Sequence, residues 1–400
     1  MKPRIAIVVQ RWAPDMVGGS EALAWQYAEL LCRDFDVDLL TSTALDYVTW
    51  ANALPEGAER VGDVTVRRFS TAFTRGEYFF TLDRKLRSDF SNGAIAEHAL
   101  PRWTTALQEE LIKVQGPWCP GLLAHLEANR DAYQAVVLTT YLYPTSYFVS
   151  CRFDPRKLLM APTLHDEPAA HLPVYQRYRD RIARFLWLTH AERELATRLW
   201  GVDAGEVIGM TLDAPAAEPA SMPHPYLLYC GRIDALKGVD QLLAWFALYR
   251  AARPKSDLRL VLTGKDTLGL RAMPNVEFLG FVSEERKLAL MAGALAFVQP
   301  SRYESFSIVA LEAMAQGTPI VVNGHCAPLA EHVVASGSGS AYRDRGEFDA
   351  AIDALAAATP AMRDEEAQRA RAYVANRYRR EQVRKRLVAE VAAVVAAADR

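Results

Sequence analysis

Short aliphatic runs separated by helix-length stretches recur along the chain, and they recur in two series. The first is "RIAIVVQ" from Arg4, "DVDLLTS" from Asp36, "AVVLTT" from Ala135, "KLLMAPT" from Lys157 and "RFLWLTH" from Arg184. The second is "YLLYCGR" from Tyr226, "RLVLTG" from Arg259, "VEFLGF" from Val276, "LAFVQP" from Leu295 and "PIVVNG" from Pro319. Runs this apolar suit strands covered on both faces, the state of strands in a parallel sheet flanked by helices. Two series therefore predict an α/β chain with two Rossmann-like, doubly wound parallel-sheet domains. A chain of 400 residues also exceeds what one core usually organises.

Between the series lies "LDAPAAEPASMPHP", Leu212 to Pro225, without helical or strand periodicity, which reads as a linker. The expected division is a first domain over 1–212, a linker over 213–225, a second domain over 226–376 and a closing helix over 377–400. That helix, ending "REQVRKRLVAEVAAVVAAADR", has a charged and an Ala/Val/Leu face and needs a surface to pack on, for which the first domain is the candidate. A stretch from Arg67 to Arg87, "RRFSTAFTRGEYFFTLDRKLR", interleaves Phe and Tyr with basic residues. It reads either as ordinary packing with a solvated face or as a surface for a lipid-linked or glycan acceptor.

Forty-six basic residues against 48 acidic ones, a net charge of -2, leave no global electrostatic case for nucleic acid as a partner. The 5 cysteines are odd in number, scattered and never in a CxxC pair, which points away from a disulfide framework or a zinc site. "DVD" at Asp36 to Asp38 begins a strand rather than following one and is assigned no metal. No signal-peptide pattern and no run near the ~18–20 apolar residues of a membrane span is present, so a cytoplasmic protein is expected, at most peripheral on the inner face of the membrane.

Ligands of open parallel sheets bind beyond the carboxyl ends of the strands. In the second series Arg232 and Lys237, in "GRIDALKG", follow the first run, and glycines beside them permit a close ligand approach. A forked guanidinium and a mobile ammonium suit a diphosphate. Glu304 and Glu312 stand eight residues apart in "YESFSIVALE"; on one continuous helix that interval is about 12 Å of rise, too long for a glycosidase carboxylate pair. More economically, Glu304 lies in the loop before a helix, Ser305 or Ser307 caps it, and Glu312 sits two turns inside. Free amides at that helix start would face an anion. A sugar at Glu304, a diphosphate at the helix start and a ribose diol at Glu312 together describe a nucleotide sugar.

The first series offers a matching half-site: Gly18, Gly19 and Ser20 open a helix whose amides could meet phosphate or sugar. The pattern is not GxGxxG, so a dinucleotide site is not indicated. His165 follows "KLLMAPT" at another carboxyl end. Each of these features alone has a plainer reading: a tight turn for the glycines, a structural histidine, a helix-start acid for Glu304 and a surface carboxylate for Glu312.

Taken together, these residues resemble the GT-B glycosyltransferases, specifically the large retaining family 4 group. "YCGRIDALKG" is similar to that family's phosphate-binding loop, "FLGFVSEERKLALM" to its base-side loop, and Glu304 through "ALEAMAQGTPIVV" to its paired-glutamate signature. The resemblance covers roughly the whole chain and is most specific over Tyr226 to Val334. It implies two domains facing a cleft, with Arg232 and Lys237 on the donor diphosphate, Glu304 on the sugar and Glu312 on the ribose. It further implies main-chain contacts from Ser305, Phe306, Ser307, Ile308 and Val309, contacts at Gly18 and Gly19, and His165 on the sugar from the other domain. Ser305 and Ser307 stand where many members carry glycine, and "CAPLAE" ending at Glu331 replaces a Gly-Gly pattern, so Glu331 is left out of the site.

The function so implied is a metal-independent, retaining hexosyltransferase in cell-surface polysaccharide, lipopolysaccharide or glycoconjugate assembly. It would use a nucleoside diphosphate sugar, a glycan or lipid-linked acceptor and no cofactor. Two alternatives stay open: a non-catalytic nucleotide-sugar-binding partner of an active transferase, and a nucleotide-sugar epimerase or hydrolase of similar fold.

Overall fold

A computed structural model describes residues 2–14, 16, 18–91 and 103–398. By internal contacts the chain divides into two units, one holding the residues up to Met210 together with those from Glu381 onward, the other Thr211–Arg380.

In the first unit the strands are β1 (Arg4–Val8), β2 (Asp36–Ser42), β3 (Gly57–Val61), β4 (Val64–Phe69), β5 (Ala135–Thr139), β6 (Leu158–Ala161), β7 (Arg184–Trp187) and β8 (Gly205–Val207). They form one sheet in the order β3-β4-β2-β1-β5-β6-β7-β8. All neighbours are parallel except β3 and β4, an edge hairpin that departs from the all-parallel expectation. Its physical reason is local: β4 alternates buried and half-buried residues, while β3, "GAERV", is solvent-facing and too polar to read as an aliphatic run. The central strands β1 and β5 are buried almost throughout, as helices on both faces require. Trp103, Tyr133, Trp187 and Trp200 anchor the core.

The chain's last described helix, Arg380–Ala398, belongs to this unit. Val383, Leu387, Val391 and Val394 are buried along one helical face, Arg184 forks onto Glu390 at 2.7 and 2.8 Å, and Arg384 pairs with Asp34. Asp38 of the "DVD" stretch is buried and taken by Arg4, Arg67 and the Tyr133 hydroxyl. The stretch from Arg67 to Arg87 divides between β4 and a helix over Glu77–Ser91, which buries Phe79, Leu82 and Leu86 and leaves Tyr78 and Phe80 outward. Arg75 lies between the rings of Phe79 and Trp50, so part of the basic and aromatic interleaving is packing.

The second unit contains β9 (Tyr226–Cys230), β10 (Arg259–Thr263), β11 (Val276–Phe278), β12 (Ala296–Gln299), β13 (Ile320–Asn323) and β14 (Ser340–Tyr342), all parallel, in the order β11-β10-β9-β12-β13-β14. Counted within the unit this is 3-2-1-4-5-6, with the winding reversing between β9 and β12. Leaving β3 aside, the first sheet winds the same way and reverses between β1 and β5. The segment read as a linker is irregular but not loose: Gln316 accepts from the Ala217 amide and donates to the Pro215 carbonyl, and the Ala220 amide reaches Ala289. It lies along the second unit. No helix among the described residues is long and apolar enough to cross a membrane.

Candidate active site

The reversal point of the second sheet collects the polar residues picked out in its sequence. Past β9, Arg232 lies with Nε 3.5 Å from Asp234, and Asp234 caps a short turn by accepting from the Lys237 amide at 2.8 Å. Gly238 then takes a φ of 72°, and a Cβ there would stand 2.7 Å from the Pro300 carbonyl oxygen. Only glycine lets this loop press against the chain leaving β12. That approach brings Lys237 Nζ to 2.6 Å from Glu304 Oε1, an ion pair between residues 67 positions apart. Both side chains are largely covered.

The helix after Glu304 runs over Ile308–Ala315. Glu312 is therefore its fifth residue, just over one turn inside rather than two. Ser307 stands at the N-cap position, but its φ is 63° and its side chain makes no cap; its hydroxyl accepts from Gln299 instead. The serine cap expected from the sequence is absent because the left-handed backbone turns that hydroxyl away from the helix amides. Among the described residues no backbone acceptor takes the amides of Ile308 and Val309. The helix start is open to an anion.

Phe306 is not a surface contact. Its ring is buried edge-on against Tyr378, and its carbonyl accepts from His332 Nε2 at 2.7 Å. That bond fixes the tautomer, so Nδ1 accepts from the Tyr373 hydroxyl at 2.8 Å, and Tyr373 in turn meets Tyr378. Burial holds the His332 imidazole below its usual range. This buried set fixes the loop from Glu304 to Ser307 from behind.

Glu312 pairs with Lys287, Oε2 to Nζ at 2.8 Å, and Lys287 also meets Glu284 at 2.8 Å. The Glu312 contact is a close ion pair, and Glu312 Oε2 receives no hydrogen bond from the described residues. Burial pushes the Glu312 carboxyl above its usual range, with Lys287 pulling the other way and Glu284 adding to the rise. For Lys287, burial lowers the ammonium pKa, and Glu312 with Glu284 more than offsets it. The Cys230 thiol, pushed up to about 12 by burial, faces the same group.

In the first unit, the helix over Gly19–Leu31 begins where the sequence placed it. Its start, however, carries its own anion. Glu21 is buried and folds back over Gly18, where a Cβ would lie 2.2 Å from Oε2. The carboxylate receives Arg11 Nε at 2.6 Å, Gln10 at 3.2 Å and the Ser20 hydroxyl at 2.9 Å. Where contact with phosphate or sugar at Gly18 and Gly19 is expected, the helix start is occupied by the Glu21 carboxylate, held by Arg11, Gln10 and Ser20. His165 is part-exposed, with Nδ1 3.8 Å from Glu167, whose carboxylate accepts from Tyr141.

The structure thus gathers Arg232, Lys237, Glu304, Ser305, Phe306, Ser307, Ile308, Val309 and Glu312 at one edge of one unit, and holds Gly18, Gly19 and His165 in the other. Lys287 and His332 were missed. Lys287 left a faint signal, a lysine one helical turn after Glu284; His332, within "LAEHVV", left none. Among the described residues there is no cluster of three or more metal-ligating side chains.

Residues 213–376 match the family model described as glycosyl transferases group 1. Among curated proteins, glycogen synthase of Mycobacterium tuberculosis is 33% identical over 193 residues, covering 44% of this chain and 45% of that protein. The phosphatidyl-myo-inositol mannosyltransferase of Propionibacterium freudenreichii is 39% identical over 100 residues, 24% of this chain and 25% of that one. The chain spans about half the length, or less, of these curated relatives. Among solved structures, sucrose-phosphate synthase from Thermosynechococcus elongatus aligns with a TM-score of 0.69 at 19% identity, covering 99% of this chain and 100% of that one. The alpha,alpha-trehalose 6-phosphate synthase from Burkholderia multivorans gives 0.69 at 12% identity, covering 100% and 98%. Identities this low speak for the fold, which is GT-B.

Proposed function

Residues 213–376 form a glycosyl transferases group 1 domain within a GT-B chain, and from that premise we propose that the protein is a metal-independent, retaining glycosyltransferase. It moves one sugar from a nucleoside diphosphate sugar to a glycan or lipid-linked acceptor in glycoconjugate or cell-surface polysaccharide assembly. The observation that supports this best is the convergence at the β9/β12 reversal of Arg232, the Lys237–Glu304 pair at 2.6 Å and an uncapped helix start.

In this reading Arg232, Lys237 and the amides of Ile308 and Val309 bind the diphosphate, with main-chain groups of Ser305, Phe306 and Ser307 along the sugar. Glu304 holds the sugar and Glu312 the ribose. Two cations and a helix start neutralise the charge that grows on the leaving diphosphate, which removes the need for a metal ion. The bond from the anomeric carbon to the phosphate oxygen breaks, the acceptor hydroxyl oxygen bonds to that carbon on the same face, and the hydroxyl proton passes to the departing phosphate. The first unit supplies the acceptor surface, with His165 its residue to test. A lipid-linked acceptor would bring the protein to the cytoplasmic membrane face.

Thermal-shift titration with UDP, GDP and ADP, followed by product analysis with and without acceptor, tests this. Stabilisation by one nucleotide and acceptor-dependent transfer with retained anomeric configuration are expected. Binding of none, or release of free sugar regardless of acceptor, overturns it.

A further inference from the structure

The two oxygens of Glu312 have different surroundings. Oε2 is buried and lies 2.8 Å from Lys287 Nζ, whereas Oε1 receives no hydrogen bond from the described residues and is not closed off from solvent. Lys287, itself largely covered, is held on its other side by Glu284 on the same helix, over Glu284–Gly293. One carboxylate oxygen is thereby tied down and the other is presented. A carboxylate fixed at one end offers a ribose hydroxyl a preorganised acceptor, and that hydrogen bond costs less ordering than one to a freely rotating side chain.

We propose that Lys287 is a positioning residue for the donor ribose: pinned by Glu284, it holds Glu312 by Oε2 so that Oε1 accepts from the ribose diol. This rests on the assignment of Glu312 to the ribose. Without the ammonium, Glu312 would be a buried carboxyl with Glu284 and the Cys230 thiol as its titratable neighbours. The raised pKa that burial already gives it would then rise further, and the protonated group is a poor acceptor. Lys287 therefore governs both the direction of the carboxylate and the pH range over which it is charged.

The test measures the affinity of the full chain for whichever of UDP, GDP or ADP binds most tightly, and for its 2′,3′-dideoxy analogue, at pH 6 and pH 8. Wild type is expected to prefer the ribonucleotide. Lys287→Met is expected to weaken ribonucleotide binding by about tenfold, more at pH 6 than at pH 8, while leaving the dideoxy affinity unchanged. Lys287→Arg is expected to restore most of the preference. A merely structural defect would weaken both ligands alike, and Lys287→Gln serves as the second variant if Lys287→Met does not fold. A folded Lys287→Met protein that keeps the full ribose preference, while Glu312→Gln loses it, overturns this inference and leaves the ribose assignment standing. Wild type without any ribose preference overturns the assignment and the inference together.

Discussion

The two sheets wind in the same order, yet the helix starts at their reversal points are furnished differently. Between β1 and β5 the first helix start is covered by Glu21, which Arg11, Gln10 and Ser20 hold in place. Beyond β9 and β12 the corresponding edge carries Arg232 and Lys237, and the helix at Ile308 begins uncapped. The doubly wound topology provides a place for a ligand but does not choose it. A single carboxylate three residues into a helix is enough to set one helix start apart from the other.

Substitutions in the second unit should break that contrast most severely. Lys237→Ala or Glu304→Ala is expected to lower turnover by about 10²–10³-fold, the scale of losing a preorganised transition-state contact, with little change in the unfolding midpoint; near-normal kinetics in either would remove the site assignment. In the first unit the expected loss is stability. Glu21→Ala leaves Arg11 buried without its partner, at a cost of about 3–5 kcal/mol by denaturant unfolding, with nucleoside diphosphate affinity unchanged. Loss of that affinity in a stable Glu21→Ala protein would mean that the first helix start also serves the donor.

Acid sensitivity sharpens the comparison from the side of the scaffold. The unfolded chain's His332 takes a proton below about pH 6.5, whereas burial lowers the pKa of the folded imidazole below that value. Stability is then complete above that pH and falls as pH drops below it toward the lowered folded value. Thermal unfolding across pH 5–8 should show this slope, reduced in His332→Gln. The smallest effect expected is that of a chelator: EDTA should leave turnover within about twofold, since the diphosphate charge is assigned to Arg232, Lys237 and the helix start. Strict dependence on Mg²⁺ would place a cation where those groups are assigned.

Much of this molecule is legible from local pattern. Ten aliphatic runs give ten strands, and residues directly after them, Arg232, Lys237 and Glu304, reach the sheet edge because the ends of parallel strands must emerge there. The closing helix announces its buried face through the spacing of Val383, Leu387 and Val391. The hairpin of β3 and β4 stayed hidden because an exposed edge strand has no need of an apolar run.

What the sequence determined by itself is the ten core strands, their division between two parallel-sheet domains and the identity of the groups at their edges, because strand burial and helix periodicity depend on near neighbours. What only the tertiary structure decided is which groups meet. Lys237 reaches Glu304 through the close approach at Gly238, Lys287 takes one oxygen of Glu312, His332 holds the loop at Phe306, and Glu21 covers its own helix start while Ser307 fails to cap the other. Most of these partners are far apart in the chain, and the two helix starts differ by backbone angle and side-chain direction. Local propensity does not encode either property; packing fixes both.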